Sequence, residues 1–347
     1  MTLPPEQLPE VFDAPAFIAQ LEPPKQLLSR ASSMAAEYYA DGYRKLVFVG
    51  CGAPYRMTHI LTSWIDLAIP SDVVRTYLPA DFINYDPAFV DDQTIVILGS
   101  YSGTTKETVE AAEFCQAKSC LSLAMTRFDD SPLSTAADQQ LNFGDTQLGD
   151  YSRFLLSTAF ASSFLQQVNP KHWTYHQQIM EALHQLPVLL AAVVAESEPK
   201  IQKFSEQYAT HKSLFVVGHG PQYDTAYVLA FCSFMEMQKI HATPIIGAEF
   251  FHGPFELIDD DLPVIVLIGE DPTRPQGLRI KRFCENYVEQ YEIFDSHDYD
   301  LPGIADAVRG LFGPVVLDAA TRRLMDYFAS IRDYDKSQRR YMGVVDY

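Results

Sequence analysis

The chain has 347 residues, of which 47% are hydrophobic and 20% charged, and it carries a formal net charge of −19 at pH 7. That is the profile of a folded chain with room for two ordinary domains, each burying its own core. Lys and Arg total 26 against 45 Asp and Glu, with basic residues adjacent only in pairs such as Arg322-Arg323 and Arg339-Arg340, which argues against nucleic acid and anionic membrane as partners.

The N-terminus, Met1-Thr2-Leu3-Pro4-Pro5, shows neither the basic nor the apolar region of a signal peptide. No stretch approaches twenty uncharged apolar residues, so no membrane span is expected. Cys51, Cys115, Cys120, Cys232 and Cys284 form no C-x-x-C pair and read as reduced thiols of a cytoplasmic protein. The Pro-rich start reads as an extended lead-in to a helix ending near Ala40. From there strands and helices alternate. Lys45–Gly50 is an apolar strand, followed by a helix to about Leu67 and a strand at Val73–Tyr77. Thr94–Leu98 is a strand, Thr104 to Ala117 a helix and Leu121–Ala124 a strand. Ser152 to about Tyr208 is helical by pattern. Then the alternation resumes, with strands at Ser213–Gly218, Pro263–Ile268 and Tyr291–Phe294. Helices are expected at Tyr223–Lys239, at Gln276–Asn286 and between Ile304 and Ile331. This order predicts an α/β fold with parallel sheets covered by helices on both faces.

The two halves match in register. Gly50-Cys-Gly-Ala-Pro-Tyr55 and Gly218-His-Gly-Pro-Gln-Tyr223 stand 168 residues apart, as do Asp91-Asp92 and Asp259-Asp260. Two matches at one offset point to an internal duplication.

Gly50-Cys-Gly52 opens like a dinucleotide fingerprint, but Tyr55 stands where the third glycine belongs, which disfavours a nucleotide. Ser100-Tyr-Ser-Gly-Thr-Thr-Lys-Glu-Thr108 offers more. Three hydroxyls, Ser100, Ser102 and Thr105, flank Gly103 where a helix begins. Such a loop presents O–H and N–H donors to an anion, as a chain this acidic requires if it is to hold a phosphate. A plain helix cap would need one such hydroxyl rather than three.

Ser100-x-Ser102-Gly103-x-Thr105-x-Glu107-Thr108 resembles the phosphosugar loop of SIS (sugar isomerase) domains. The doubled strand–Gly-x-Gly–helix unit is similar to tandem-SIS enzymes such as the isomerase half of glucosamine-6-phosphate synthase. The resemblance implies two tandem SIS domains, each a flavodoxin-like parallel sheet sandwiched by helices. The expected boundaries are a lead-in at 1–24, a first domain at 25–168, a helical linker at 169–210 and a second domain with the tail at 211–347. It also implies that Ser100, Ser102 and Thr105 hydrogen-bond a sugar 6-phosphate around Gly103, with Gly52 and Ala53 as the adjacent wall. Glu236-Met-Gln-Lys-Ile-His241 and Gly247-Ala-Glu-Phe-Phe-His-Gly-Pro-Phe-Glu256 resemble the signature of fructosamine-6-phosphate deglycases, as does the tail Arg339–Tyr347. The chain departs from the synthase itself. It has no N-terminal glutaminase cysteine, Ser233 replaces a lysine three residues before the glutamate, and the tail lacks a sugar-trapping lysine.

The resemblance assigns Glu236 as base and His252 as the acid that opens the sugar ring, with no metal and no cofactor. The residues are compatible with this. Glu236 follows an apolar run, Tyr227–Met235, where desolvation favours a base working near neutrality. His252 precedes the turn pair Gly253-Pro254. Glu249 is an alternative base or a positioning group. Arg153 is a possible contact for a substrate carboxylate, with a surface place the plainer expectation. Tyr341 reaches the site only if the tail folds back. His241 is expected to close the Glu236 helix in a structural role, and His172 and His176 to be solvated. Rival readings are an aldose–ketose isomerase, an amino-sugar phosphate deaminase and a non-catalytic phosphosugar sensor, which would need the loop but not Glu236 or His252. The expected assembly is a homodimer or higher homo-oligomer with sites at the subunit interface.

Overall fold

The computed structural model of the chain describes residues 8–69 and 73–345. Pro4 and Pro5 of the expected lead-in, and Asp346 and Tyr347 of the tail, lie outside these residues. The chain forms two compact units. The first is Pro15–Val188 with Pro302–Val308, and the second is Met1–Ala14 with Leu189–Leu301 and Arg309–Tyr347.

The first unit runs α1 (Ala14–Gln26), α2 (Leu28–Ala40), β1 (Lys45–Gly50), α3 (Ala53–Ala68), β2 (Val74–Tyr77), α4 (Pro79–Tyr85) and β3 (Thr94–Gly99). It continues through α5 (Lys106–Lys118), β4 (Leu121–Met125), α6 (Pro132–Ala136), β5 (Gln139–Gln140), α7 (Gly149–Val168) and the start of α8 (His176–Tyr208). The five strands are parallel in the order β2-β1-β3-β4-β5, the flavodoxin-like winding. From Leu46 to Gly50 and throughout β3 every residue is buried, as a strand covered on both faces must be. Gly149 and every residue from Tyr151 to Leu165 of α7 are buried, because α2 and α3 both pack against this helix.

Part of the expected extended lead-in is helix. Pro15 sits in the first turn of α1, where a missing N–H costs nothing, and Phe17, Leu21 and Pro24 recur at helical spacing on its buried side. The consecutive prolines Pro23 and Pro24 fall at its end, and the chain bends at Leu27, whose N–H reaches the Pro24 carbonyl at 3.0 Å. Among the described residues α8 alone is long and apolar enough to cross a membrane, with a best window of mean hydropathy 1.5, of which 56% is buried inside the protein. A core helix passes that test as readily as a span does, and the sequence criterion of twenty uncharged residues does not flag it.

The second unit takes the rest of α8 and then β6 (Ser213–Gly218), α9 (Gln222–Tyr227), a π-helical stretch at Val228–Met235, α10 (Glu236–Gln238) and β7 (His241–Ile246). Short 3₁₀ turns at Gly247–Glu249 and Pro254–Leu257 lead to β8 (Val264–Ile268), α11 (Arg274–Tyr287), β9 (Tyr291–Asp295), α12 (Asp306–Thr321) and α13 (Leu324–Arg332). Its parallel sheet has the order β7-β6-β8-β9. The winding repeats that of the first sheet, with β7 in the place of β2.

Two local expectations are corrected here. The helix expected over Tyr223–Lys239 is not uniform, since eight of its residues wind as π-helix. Nor does His241 close it. Lys239 ends the helix in the left-handed region at φ 54°, and His241 opens β7 with its side chain exposed. The β-branched Thr243, Ile245 and Ile246 favour strand, and Pro244 is tolerated because β7 is an edge strand that hydrogen-bonds only β6.

Candidate active site

In the first sheet the chain winds one way from β1 and the other way from β3, so a crevice opens at the C-terminal ends of these two neighbours. Gly50 and Gly99 face each other there in register. A Cβ on Gly50 would lie 3.1 Å from the Gly99 carbonyl oxygen and 3.1 Å from the Pro54 Cβ. Gly52 turns the chain at φ 62° into the N-terminus of α3, which begins at Ala53. Across the crevice the Ser100 hydroxyl, 2% exposed, accepts the Gly103 N–H at 3.0 Å and lies 3.0 Å from the Thr105 hydroxyl. The Ser102 hydroxyl is exposed, 2.6 Å from that of Thr104, and accepts the Thr104 N–H at 3.2 Å. Gly103 adopts φ +71°, and a Cβ there would fall 2.3 Å from the Ser131 hydroxyl oxygen, so only glycine fits. Thr105 precedes α5 without a side-chain capping bond, which leaves the first turn of a 13-residue helix to a ligand. Gly52, Ala53, Ser100, Ser102, Gly103 and Thr105 therefore occupy one end of one sheet, a mouth lined with hydroxyl and N–H donors of the kind an anion takes.

Arg153 lies at the same end. Its expected surface place is wrong, because the side chain is 1% exposed and its Cδ would stand 3.4 Å from a Cβ on Gly99. The reason is that α7 is a central helix rather than a covering one. Burial pushes the guanidinium below its usual range, opposed by the charge of Asp150 with which it pairs.

The corresponding crevice of the second unit is filled by its own side chains. His219 and Gln222 are fully buried. A Cβ on Gly277 would fall 2.2 Å from the His219 Cε1, and one on Gly269 would fall 1.9 Å from the Gln222 Nε2. Where the first crevice has its hydroxyl loop, the second has Glu270 and Asp271, and the Asp271 carboxylate accepts the N–H of Thr273 at 2.9 Å and its hydroxyl at 2.6 Å. Acidic side chains and a filled mouth disfavour a phosphate there. Burial also pushes the His219 imidazole down from 6.5 to about 4, against the pull of Asp271. The neutral ring is thus favoured in the folded state. Between pH 6.5 and 4 the unfolded chain takes up a proton that the folded chain refuses, so stability is lost as pH falls through that window. The full loss is roughly 3 kcal/mol for one such group. Urea unfolding at pH 7 and pH 4.5 is expected to show a smaller acid loss for His219→Gln than for the wild type.

The catalytic candidates lie in the second unit. Glu236 opens α10 immediately after the π stretch, whose wider winding shifts the following side chains around the helix axis. Its surroundings differ from the expected apolar envelope. The carboxylate is 25% exposed and accepts from Arg339 Nη2 at 2.7 Å and Nε at 3.0 Å. The tail does fold back, but through Arg339 rather than Tyr341, which is 64% exposed. Lys239 anchors it further by donating to the Gln338 carbonyl at 3.1 Å. Glu249 and His252 are both exposed and lie beyond the C-terminal end of β7, where the His252 N–H donates to the Glu249 carbonyl at 2.9 Å. Helix and strand run in opposite directions here. Glu236 therefore stands at the N-terminal end of β7 and His252 past its C-terminal end, with six strand residues between them, a span of about 17 Å. Within one chain the structure does not bring these two side chains together.

The SIS domain profile matches residues 42–143. The chain is 33% identical over 304 residues to the fructosamine deglycase FrlB of Bacillus subtilis, covering 86% of this chain and 92% of that one. The chain belongs to the SIS-domain family. It is also 26% identical over 311 residues to human glutamine–fructose-6-phosphate aminotransferase (isomerizing) 2, a match that takes in 84% of this chain and 44% of the human one. A solved structure of a Bacillus subtilis phosphosugar isomerase superposes with a TM-score of 0.82 at 31% identity, over 92% of this chain and 100% of the other.

The SIS match spans β1 to Phe143 and so contains the whole hydroxyl mouth. Beyond it, sequence reasoning missed Arg339 as the partner of Glu236. Only tertiary folding joins two residues 103 positions apart, although the tail was already notable for its deglycase-like spelling. It also misread His176. That ring is half-buried at the start of α8, with Nδ1 3.1 Å from the Ser162 hydroxyl, and burial pushes its pKa down. His172 is exposed in the preceding turn, so the two do not share a helix.

Proposed function

We propose that this SIS-family enzyme, of the phosphosugar deglycase and isomerase class, cleaves a fructosamine 6-phosphate to glucose 6-phosphate and a free amine. The observation that carries the reading is the glycine-tipped crevice where the Ser100 and Thr105 hydroxyls meet at an uncapped helix N-terminus, with Ser102 in the same turn, together with the likeness to a fructosamine deglycase over most of both chains. The crevice takes the 6-phosphate, and Gly52 and Ala53 form its wall. Glu236 removes a C1 proton from the open-chain ketosamine to give an enaminol. Reprotonation at C2 yields the C1 imine, and water hydrolyses this to the aldehyde and the amine. His252 serves as the acid that opens the ring. No step requires a metal or redox cofactor.

The assembly is a homodimer or larger, with each site drawing on two chains. The separation of Glu236 from His252 along β7 supports this, because one chain alone cannot present both to one sugar. The two units are taken as tandem SIS domains, at 25–168 and 211–347, of a cytoplasmic protein.

The test is a product assay on synthetic fructosamine 6-phosphates carrying different amino acids, following glucose 6-phosphate and amine together. Equimolar release of both is the expected result. Release of ammonia from an amino-sugar phosphate, or aldose–ketose exchange with no amine released, would replace the deglycase reading by its isomerase or deaminase relatives.

A further inference from the structure

The phosphosugar reading leaves an electrostatic question open. A sugar phosphate carries two negative charges, the chain carries −19, and the hydroxyl loop supplies only neutral donors. Lys106, the cation within the loop sequence, points to solvent with its side chain 77% exposed, 4.0 Å from Glu110. The charge must come from elsewhere in the crevice.

We propose that Arg153 is the buried counter-charge of the substrate's 6-phosphate. The proposal rests on the phosphosugar reading of the crevice, though not on the deglycase chemistry. Three features carry it. The first is place. Gly99 is the last residue of β3 and precedes Ser100, and the glycine allows the Arg153 stem to lie against that strand end beside Pro54, where a Cβ would touch both side chains at 3.4 Å. The second is an unmet need. Arg153 pairs with Asp150 through Nη2, but Nε and Nη1 are buried with no hydrogen-bond partner. Two orphaned donors on a 99% buried cation are costly unless something accepts from them. The third is exchangeability. Asp150 is 37% exposed, so its carboxylate can turn to water when a stronger anion arrives. Arg153 and Asp150 thus form a nearly neutral resting pair, and the phosphate brings the oxygens that Nε and Nη1 lack. The Phe143 ring, 5.6 Å from the guanidinium, covers the pair's apolar side.

The test is calorimetric binding of glucose 6-phosphate and of inorganic phosphate to the full chain, which needs no turnover. Arg153→Gln is expected to weaken both ligands by about ten- to a hundredfold, and Arg153→Lys to recover part of the loss. Asp150→Asn is expected to tighten both several-fold, because it removes the competing carboxylate. A misfolded crevice would not produce that gain, so it separates a charge effect from a folding defect. Unchanged affinity in Arg153→Gln, or no gain in Asp150→Asn, overturns the proposal. So does a loss confined to glucose 6-phosphate with inorganic phosphate unaffected, which would place Arg153 on a sugar oxygen. If the wild type binds neither ligand, the phosphosugar reading itself falls. If it binds glucose 6-phosphate with these variant effects but cleaves no fructosamine, only the deglycase reading does.

Discussion

Glu236→Gln is expected to lower kcat/KM for a fructosamine 6-phosphate by about a hundred- to ten-thousandfold, the usual weight of a general base. Affinity for glucose 6-phosphate is expected to stay within a few-fold of wild type. The amide keeps the shape of the side chain but cannot take the C1 proton. The proposed phosphate site lies on different elements, Ser100 to Thr105 before α5, so ligand binding and chemistry should separate cleanly in this variant. The lost ion pair with Arg339 is a quarter exposed on each side, so its stability cost is small, under about 1 kcal/mol. Three readings on the same preparation decide the matter: product release, calorimetric affinity and melting temperature. Activity within tenfold of wild type would move the base elsewhere, with Glu249 the next carboxylate to test.

Mixing two inactive variants is expected to restore activity. If Glu236 of one chain serves the site that uses the partner's His252, then Glu236→Gln and His252→Asn homodimers are each dead. Random exchange of chains makes about half the dimers mixed. Each mixed dimer carries one site with both defects and one with neither, so about a quarter of all sites are whole. The experiment is to denature and refold the two variants together, or to co-express them with different tags, and to compare the rate with each variant alone. Recovery towards a quarter of the wild-type rate supports sites shared between chains. No recovery, with mixed dimers demonstrably present, would require Glu236 and His252 to act on the same side of one chain, against the direction of β7, or His252 to have no catalytic part.

The legible part of this fold was the part written locally. β3 and β8 are fully buried, β1 and β6 are buried from their second residue on, and their unbroken apolar runs announce all four without help from anything distant. The hydroxyl mouth was legible for the same reason, since three hydroxyls and a glycine within six residues need only one turn to share one end of the sheet. What stayed hidden depends on partners far along the chain. Nothing in the spelling around Arg153 says that α2 and α3 will enclose α7 and bury a cation at the strand ends. β7 was missed because it begins two residues after a left-handed lysine and contains a proline, both of which read as loop until an edge position makes them tolerable. The π winding before Glu236 has no clear spelling at all. Its residues, Val228 to Met235, form an unremarkable apolar helix on paper.

The plugged crevice of the second unit bears on how two sheets of like winding differ in what they admit. On the proposed reading the Gly-x-Gly turn after β1 clears a doorway for a guest, whereas its counterpart after β6 leads into a mouth where glycines admit the protein's own histidine and glutamine. One spelling would then serve hospitality in one unit and masonry in the other. Each chain should accordingly titrate with a single equivalent of sugar phosphate, and an inhibitor designed against the motif rather than the mouth would find half its intended targets already walled up.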